Sequence, residues 1–175
     1  MFDRDKFKSV VHYVCWRCSD EPSKLGSVKL NKTLWLSDLA AYYRRGRSIT
    51  GARYVKRQFG PVPSAILPTL RDLENEDAIQ IREAGHFGYR KKEYIARTKA
   101  SLSLLSTDEL SIIDQMIEFV CDQNTAASIS EASHDHIWKA AEDGEEIPHY
   151  TVFAIPEQIT EDDVEWAKLQ LEAAA

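Results

Sequence analysis

The apolar pattern is densest between residues 29 and 45, a stretch with neither glycine nor proline. Leu36, Leu39, Ala40 and Tyr43 recur at i, i+3, i+4 and i+7, the repeat of a helix with one buried face. Leu30, Leu34, Trp35 and Tyr42 spread the apolar surface around most of the circumference, which predicts a central helix enclosed by other elements. Gly46 ends it, after Arg44 and Arg45 placed where cations suit the helix dipole. Another helix is predicted over residues 4–18, with Phe7, Val10, Val11, Val14 and Cys18 on its buried side. A third opens at Pro63 or Ser64 and runs to about Glu76 on Ile66, Leu67, Leu70 and Leu73. The period then shifts: Ile79 and Ile81 alternate with polar residues, Gly85-His86-Phe87-Gly88 supplies a turn, and Tyr94-Ile95-Ala96 returns as the second strand of a hairpin. Ser106 or Thr107 caps a helix reaching about Asp122, a short helix follows at 125–133, and Thr160 caps an acidic helix at about 160–174.

These elements predict a mainly α (α+β) fold: one helical domain over residues 1–175, with a central buried helix and a small β-hairpin. Helix, helix, helix, hairpin is also the order of a winged helix. Between the central helix and the third, Gly60-Pro61-Val62-Pro63 reads as a rigid turn, because two prolines fix φ and hold the residues before them extended.

The run KLNK-x-LWLSD, followed by Tyr43, Gly46, Ile49-Thr50-Gly51, Tyr54 and GPVP, resembles the signature of the Panacea domain, the SocA-like antitoxin family. A later phrase, His134, Trp138, Ala141, Gly144, Ile147 and Pro148, resembles the same family, so the likeness spans about residues 10–150. Thr33 is a departure, standing where a larger apolar residue is expected. The resemblance implies a non-catalytic protein that neutralises a cognate protein toxin by direct contact, and its SocA branch is associated with delivering the toxin to a Clp protease. It also marks Asp38, Gly60, Pro61, Pro63 and Trp138 as structural motif residues.

Composition changes the picture in one respect. The chain has 175 residues and a net charge of -6, but residues 29–63 hold eight basic residues against one acidic, and residues 106–175 hold two against seventeen. The favoured reading is that the two regions fold together and partly cancel, leaving a solvated acidic face. The acidic excess argues against nucleic acid as a partner, although Arg44, Arg47, Arg53 and Lys56 interleaved with Tyr54 keep a winged-helix-like DNA-binding regulator as the rival reading. There is no apolar run of spanning length and no signal-peptide pattern, so a cytoplasmic protein is expected, and three cysteines point to reduced thiols.

Catalytic and metal motifs are weak. Cys15-Trp16-Arg17-Cys18 has the CxxC spacing without a second pair, and His134-Asp135-His136 lacks a third ligand, so both read as structural. No nucleophile elbow, P-loop or dinucleotide fingerprint occurs, and no cofactor is implied. Asp38 is the most unusual residue, a carboxylate inside an apolar helix that requires partners to offset its desolvation. For the partner-binding surface the expectation falls on Arg44, Arg47, Arg53 and Tyr54, carried on the scaffold of the central helix.

Overall fold

The computed structural model describes residues 1–86 and 89–154; the helix expected at 160–174 lies outside the described residues. Helix α1 (Arg4–Arg17) is capped by Asp3, whose carboxylate accepts from the Lys6 N–H at 2.9 Å, and it buries Phe7, Val10, Val11 and Val14 as its spacing predicts. Helix α2 (Ser27–Arg45) ends at Gly46, which takes φ 69° and donates its N–H to the Tyr42 carbonyl at 2.7 Å. The left-handed conformation is the reason a glycine stands there.

Helix α2 is central, touching α1 and the elements introduced below on several sides. Its most deeply buried side chains include the expected Leu30, Leu34 and Trp35 but not the i, i+3, i+4, i+7 set. Leu36, Leu39 and Ala40 are half-buried and Tyr43 is 63% exposed, while Leu30, Lys32, Thr33, Leu34, Trp35, Ser37, Asp38 and Ala41 are enclosed. The cause is the enclosure itself: an encircled helix can bury polar side chains where a neighbour supplies partners, and hydropathy alone does not register that. Thr33 shows this on a small scale, for its hydroxyl is buried and donates to the Lys29 carbonyl at 3.0 Å.

Beyond Gly46 the chain doubles back along α2, and here the expectation of a rigid turn is corrected. Gly60-Pro61-Val62-Pro63 is strand β2 (Gly60–Pro63), antiparallel to β1 (Tyr54–Arg57), with Tyr54 opposite Pro63 and Arg57 opposite Gly60. The prolines still hold the chain extended, and a strand whose far side pairs with no other strand among the described residues tolerates their missing N–H groups. The other side of β1 is met by residues 144–147: Lys56 N–H donates to the Glu145 carbonyl at 2.8 Å and Ile147 N–H to the Tyr54 carbonyl at 2.9 Å.

Helix α3 (Ile66–Asn75) leads to the expected hairpin of β3 (Ile79–His86) and β4 (Tyr89–Ala96), in which Gly85 and His86 belong to the strand rather than the turn. Helix α4 (Thr107–Ile117) starts in a capping box, Ser106 and Glu109 each bonding the other's backbone N–H, and continues as a π-helical turn over Glu118–Asp122. Helix α5 (Ala126–Ala132) was expected; α6 (His136–Ala140) and a 3-10 turn at His149–Phe153 were not. Side chains from α1 through α5 and both hairpins join in one apolar core.

Trp35 is 6% exposed and meets the Tyr54 ring edge-on, with centroids 4.9 Å apart. Trp35→Ala should therefore cost about 3–5 kcal/mol in urea unfolding. A loss below about 1 kcal/mol would place the ring outside the core.

Candidate functional site

Asp38 lies on α2 facing the segment that returns along it. One carboxylate oxygen accepts from the Thr50 N–H at 2.9 Å; the other accepts from the Thr50 hydroxyl at 2.5 Å and the Tyr54 hydroxyl at 2.9 Å. His149 Nε2 stands 4.0 Å from that second oxygen, its ring stacked between Trp35 and Tyr42 at centroid distances of 5.8 Å each. Burial pushes the Asp38 carboxyl up and the His149 imidazole down; the three donors and the neighbouring imidazole partly hold the carboxyl back. Tyr54 is pushed up as well, first by burial and then by the carboxylate it serves.

Aspartate, histidine and hydroxyls in one cluster invite comparison with a catalytic triad. The geometry contradicts it: Asp38 is 1% exposed, its oxygens are occupied by Thr50 and Tyr54, and His149 reaches it edgewise at 4.0 Å with no nucleophile on its other side among the described contacts. What the cluster does is fasten residues 46–54 and the 3-10 turn at His149–Phe153 onto α2.

A second buried polar group sits further toward the start of α2. Lys32 is 1% exposed, and its ammonium has no hydrogen-bond partner among the described residues. It lies against Gly60, where an added Cβ would stand 1.5 Å from Nζ and 2.6 Å from the Ser133 hydroxyl, and Gly60 also has φ 106°. Burial brings the Lys32 pKa down to about 7. Sequence reasoning missed both Lys32 and His149, although Lys32 lies within the quoted motif and His149 directly follows the Ile147-Pro148 phrase.

The basic run disperses. Arg53 pairs with Glu146 at 2.8 Å, Arg57 with Asp143 at 3.0 Å, and Lys56 donates to the Ala141 carbonyl at 2.8 Å while its ammonium lies 4.3 Å from the Trp138 ring centroid. The acidic segment around Glu146 thus cancels part of the charge of β1. Tyr54 lies in the core at 1% exposure and offers a partner no surface, a correction to the expected set. Arg44 is exposed and donates to Gln115 Oε1 at 3.2 Å; Arg47 is also exposed. Trp138 stacks on His134 at 3.7 Å and donates its indole N–H to the Arg57 carbonyl at 3.1 Å. Cys15, Cys18 and Cys121 are buried free thiols, Cys15 pushed up to about 12 by burial. No cluster suited to a metal ion occurs among the described residues.

Asp38→Ala leaves the Thr50 N–H and Tyr54 hydroxyl buried without their acceptor and should cost about 3–5 kcal/mol in urea unfolding. The Lys32 effect is pH-dependent. Between about 7, its folded pKa, and the ordinary 10.5, the unfolded chain binds more protons, so stability from this group rises with pH across that window and is lowest below it. Lys32→Met should stabilise the protein by about 1–3 kcal/mol near pH 6 and by less near pH 9, read from paired urea titrations. An equal effect at both values would contradict a buried, unpaired amine.

The pattern of α2, the doubled-back segment and β2 matches more than a local motif. No curated protein and no solved structure matches the chain. The family described as antitoxin SocA-like, Panacea domain, matches residues 30–139, which run from α2 through α6 and make up well over half of the chain. The protein belongs to the SocA-like antitoxin, Panacea domain family.

Proposed function

We propose that this chain is a non-catalytic antitoxin that neutralises a cognate protein toxin by direct contact in the cytoplasm, with delivery of the bound toxin to a Clp protease as a further step of the same reading. The observation that carries it is the family match over residues 30–139. The geometry agrees in one respect: Asp38, Gly60 and Trp138 are engaged in holding the backbone together, so the motif supports a framework rather than a reaction centre. Among the described residues no helix is long and apolar enough to cross a membrane.

The proposed contact surface retains Arg44 and Arg47 at the exit of α2, with Arg53 beside Glu146. Exposed aromatics adjoin it: Tyr43 at 63% and Phe153 at 55%, with ring centroids 5.8 Å apart. Arginine and tyrosine on a rigid support are the residue types that dominate binding hot spots. The DNA-binding rival finds less support, because α3, the element a winged helix would lay in the groove, carries Arg71 against Asp72 and Glu74.

The test is co-expression with the protein encoded beside this chain's gene, followed by measured association. Growth should be restored, and Arg44→Glu with Arg47→Glu should slow association about tenfold and flatten its salt dependence. A greater loss from Glu161→Lys with Glu165→Lys would put the contact on the acidic side. Failure to relieve the neighbour's toxicity would remove the antitoxin reading.

A further inference from the structure

The exposed arginines raise a question of strength, since rim charges govern encounter more than the lifetime of a complex. A tight complex needs an apolar anchor in a concave site. One exists at the opposite end of α2. Phe59, at the tip of the β1–β2 hairpin, is 54% exposed. With Val28 at the start of α2 and Ala126 and Ala127 at the start of α5, it lines a cleft of about 700 Å³. The same four residues also line an adjoining cleft of about 380 Å³ that ends at Ser130, Glu131 and His134. Together they form one groove with an apolar floor.

The rim is cationic along the wider cleft and carries one carboxylate, Glu131, at the far end of the narrower one. Among the described residues, the charged side chains lining the wider cleft are Lys29, Arg90, Lys91 and Lys92, and no carboxylate is among them. Lys29 and Lys91 are tied down, donating to the Cys121 and Ser23 carbonyls, and Arg90 pairs with Glu83 at 3.0 Å. Lys29 and Lys91 are thereby held in place, while Glu83 offsets part of the Arg90 charge. The hairpin tip that supplies Phe59 is itself anchored: Gly60 packs on Lys32, and the Ser130 hydroxyl donates to the Phe59 carbonyl at 3.2 Å.

We infer that this groove is the anchor site for the toxin, receiving a segment that places an apolar side chain against Phe59, Val28 and Ala127 and carboxylates toward Arg90 and Lys92. The inference rests on the antitoxin reading and gives it a second contact, with Arg44 and Arg47 steering and the groove holding. An apolar floor within a cationic rim favours an acidic amphipathic segment over a basic or uniformly polar one.

Phe59, Ala127 and Lys92 are all exposed, so substituting them leaves the core intact. The full-length chain is titrated with the protein encoded beside its gene by calorimetry and by surface-plasmon kinetics, and oligomeric state is followed by sedimentation. Phe59→Ala and Ala127→Asp should each weaken toxin binding by about tenfold or more, mainly through faster dissociation. Lys92→Glu should weaken it in a manner that fades at high salt. Affinity within about twofold of wild type for both Phe59→Ala and Ala127→Asp overturns the anchor while leaving the antitoxin reading intact. So does self-association of the wild type that Phe59→Ala abolishes without changing toxin affinity, for the groove would then hold a second copy. If the wild type does not bind the neighbouring protein, the antitoxin reading fails and the anchor fails with it.

Discussion

Everything between α2 and α3 depends on a carboxylate that the hydrophobic effect alone would exclude from its position. Asp38 is nearly inaccessible, and three hydrogen bonds from two residues of the returning segment hold it. Removing an ionised group from water costs several kcal/mol, and the Thr50 and Tyr54 donors replace part of the lost solvation. The dependence is mutual. Thr50 and Tyr54 bury their polar groups because Asp38 accepts from them, and the direction of β1, hence the placement of β2 and Phe59, follows from that attachment.

The same trade recurs at Lys32 with a different outcome. Among the described residues no carboxylate pairs with its ammonium, so burial outweighs the pull of Asp135 and the group yields its proton more readily. Gly60 is required there because a side chain would occupy the position of Nζ, and its φ of 106° is unfavourable for other residues. One carboxylate and one amine, both on α2, thus set where the hairpin starts and where it turns back. The surface charges act on another scale. Arg53 and Arg57 meet Glu146 and Asp143 at exposed positions, where such pairs contribute little stability, yet they neutralise the hairpin face that carries them.

The helices were legible in the sequence wherever one face is buried. Phe7, Val10, Val11 and Val14 identify α1, and Ser106 with Glu109 identifies the start of α4, because spacing and capping are local chemistry. In helix α2 the burial of Leu30, Leu34, Trp35 and Asp38 is legible in the sequence, but that of Lys32 and Ser37 is not, since those side chains are enclosed by neighbours that a hydropathy pattern does not contain. The β1–β2 hairpin has a related cause: Pro61 and Pro63 read as a turn, and only pairing with Lys56 and Tyr54 makes them part of a strand. Of the expected contact residues, Arg44 and Arg47 lie on the surface while Tyr54 serves the core. Phe59 carried no sequence signal, because its value as an anchor arises from the cleft that Val28 and α5 build around it.

The Asp38 attachment belongs to the cooperative core and is not a locally closing loop. Native-state hydrogen exchange at the Thr50 amide tests it directly, because that N–H donates to the Asp38 carboxylate and to no backbone carbonyl of a helix or strand. The account predicts that Thr50 exchanges only through global unfolding, with the same free energy as the amides at the centre of α2. Exchange through an opening several kcal/mol cheaper than global unfolding would contradict it, and would show that the fold stands without the clasp.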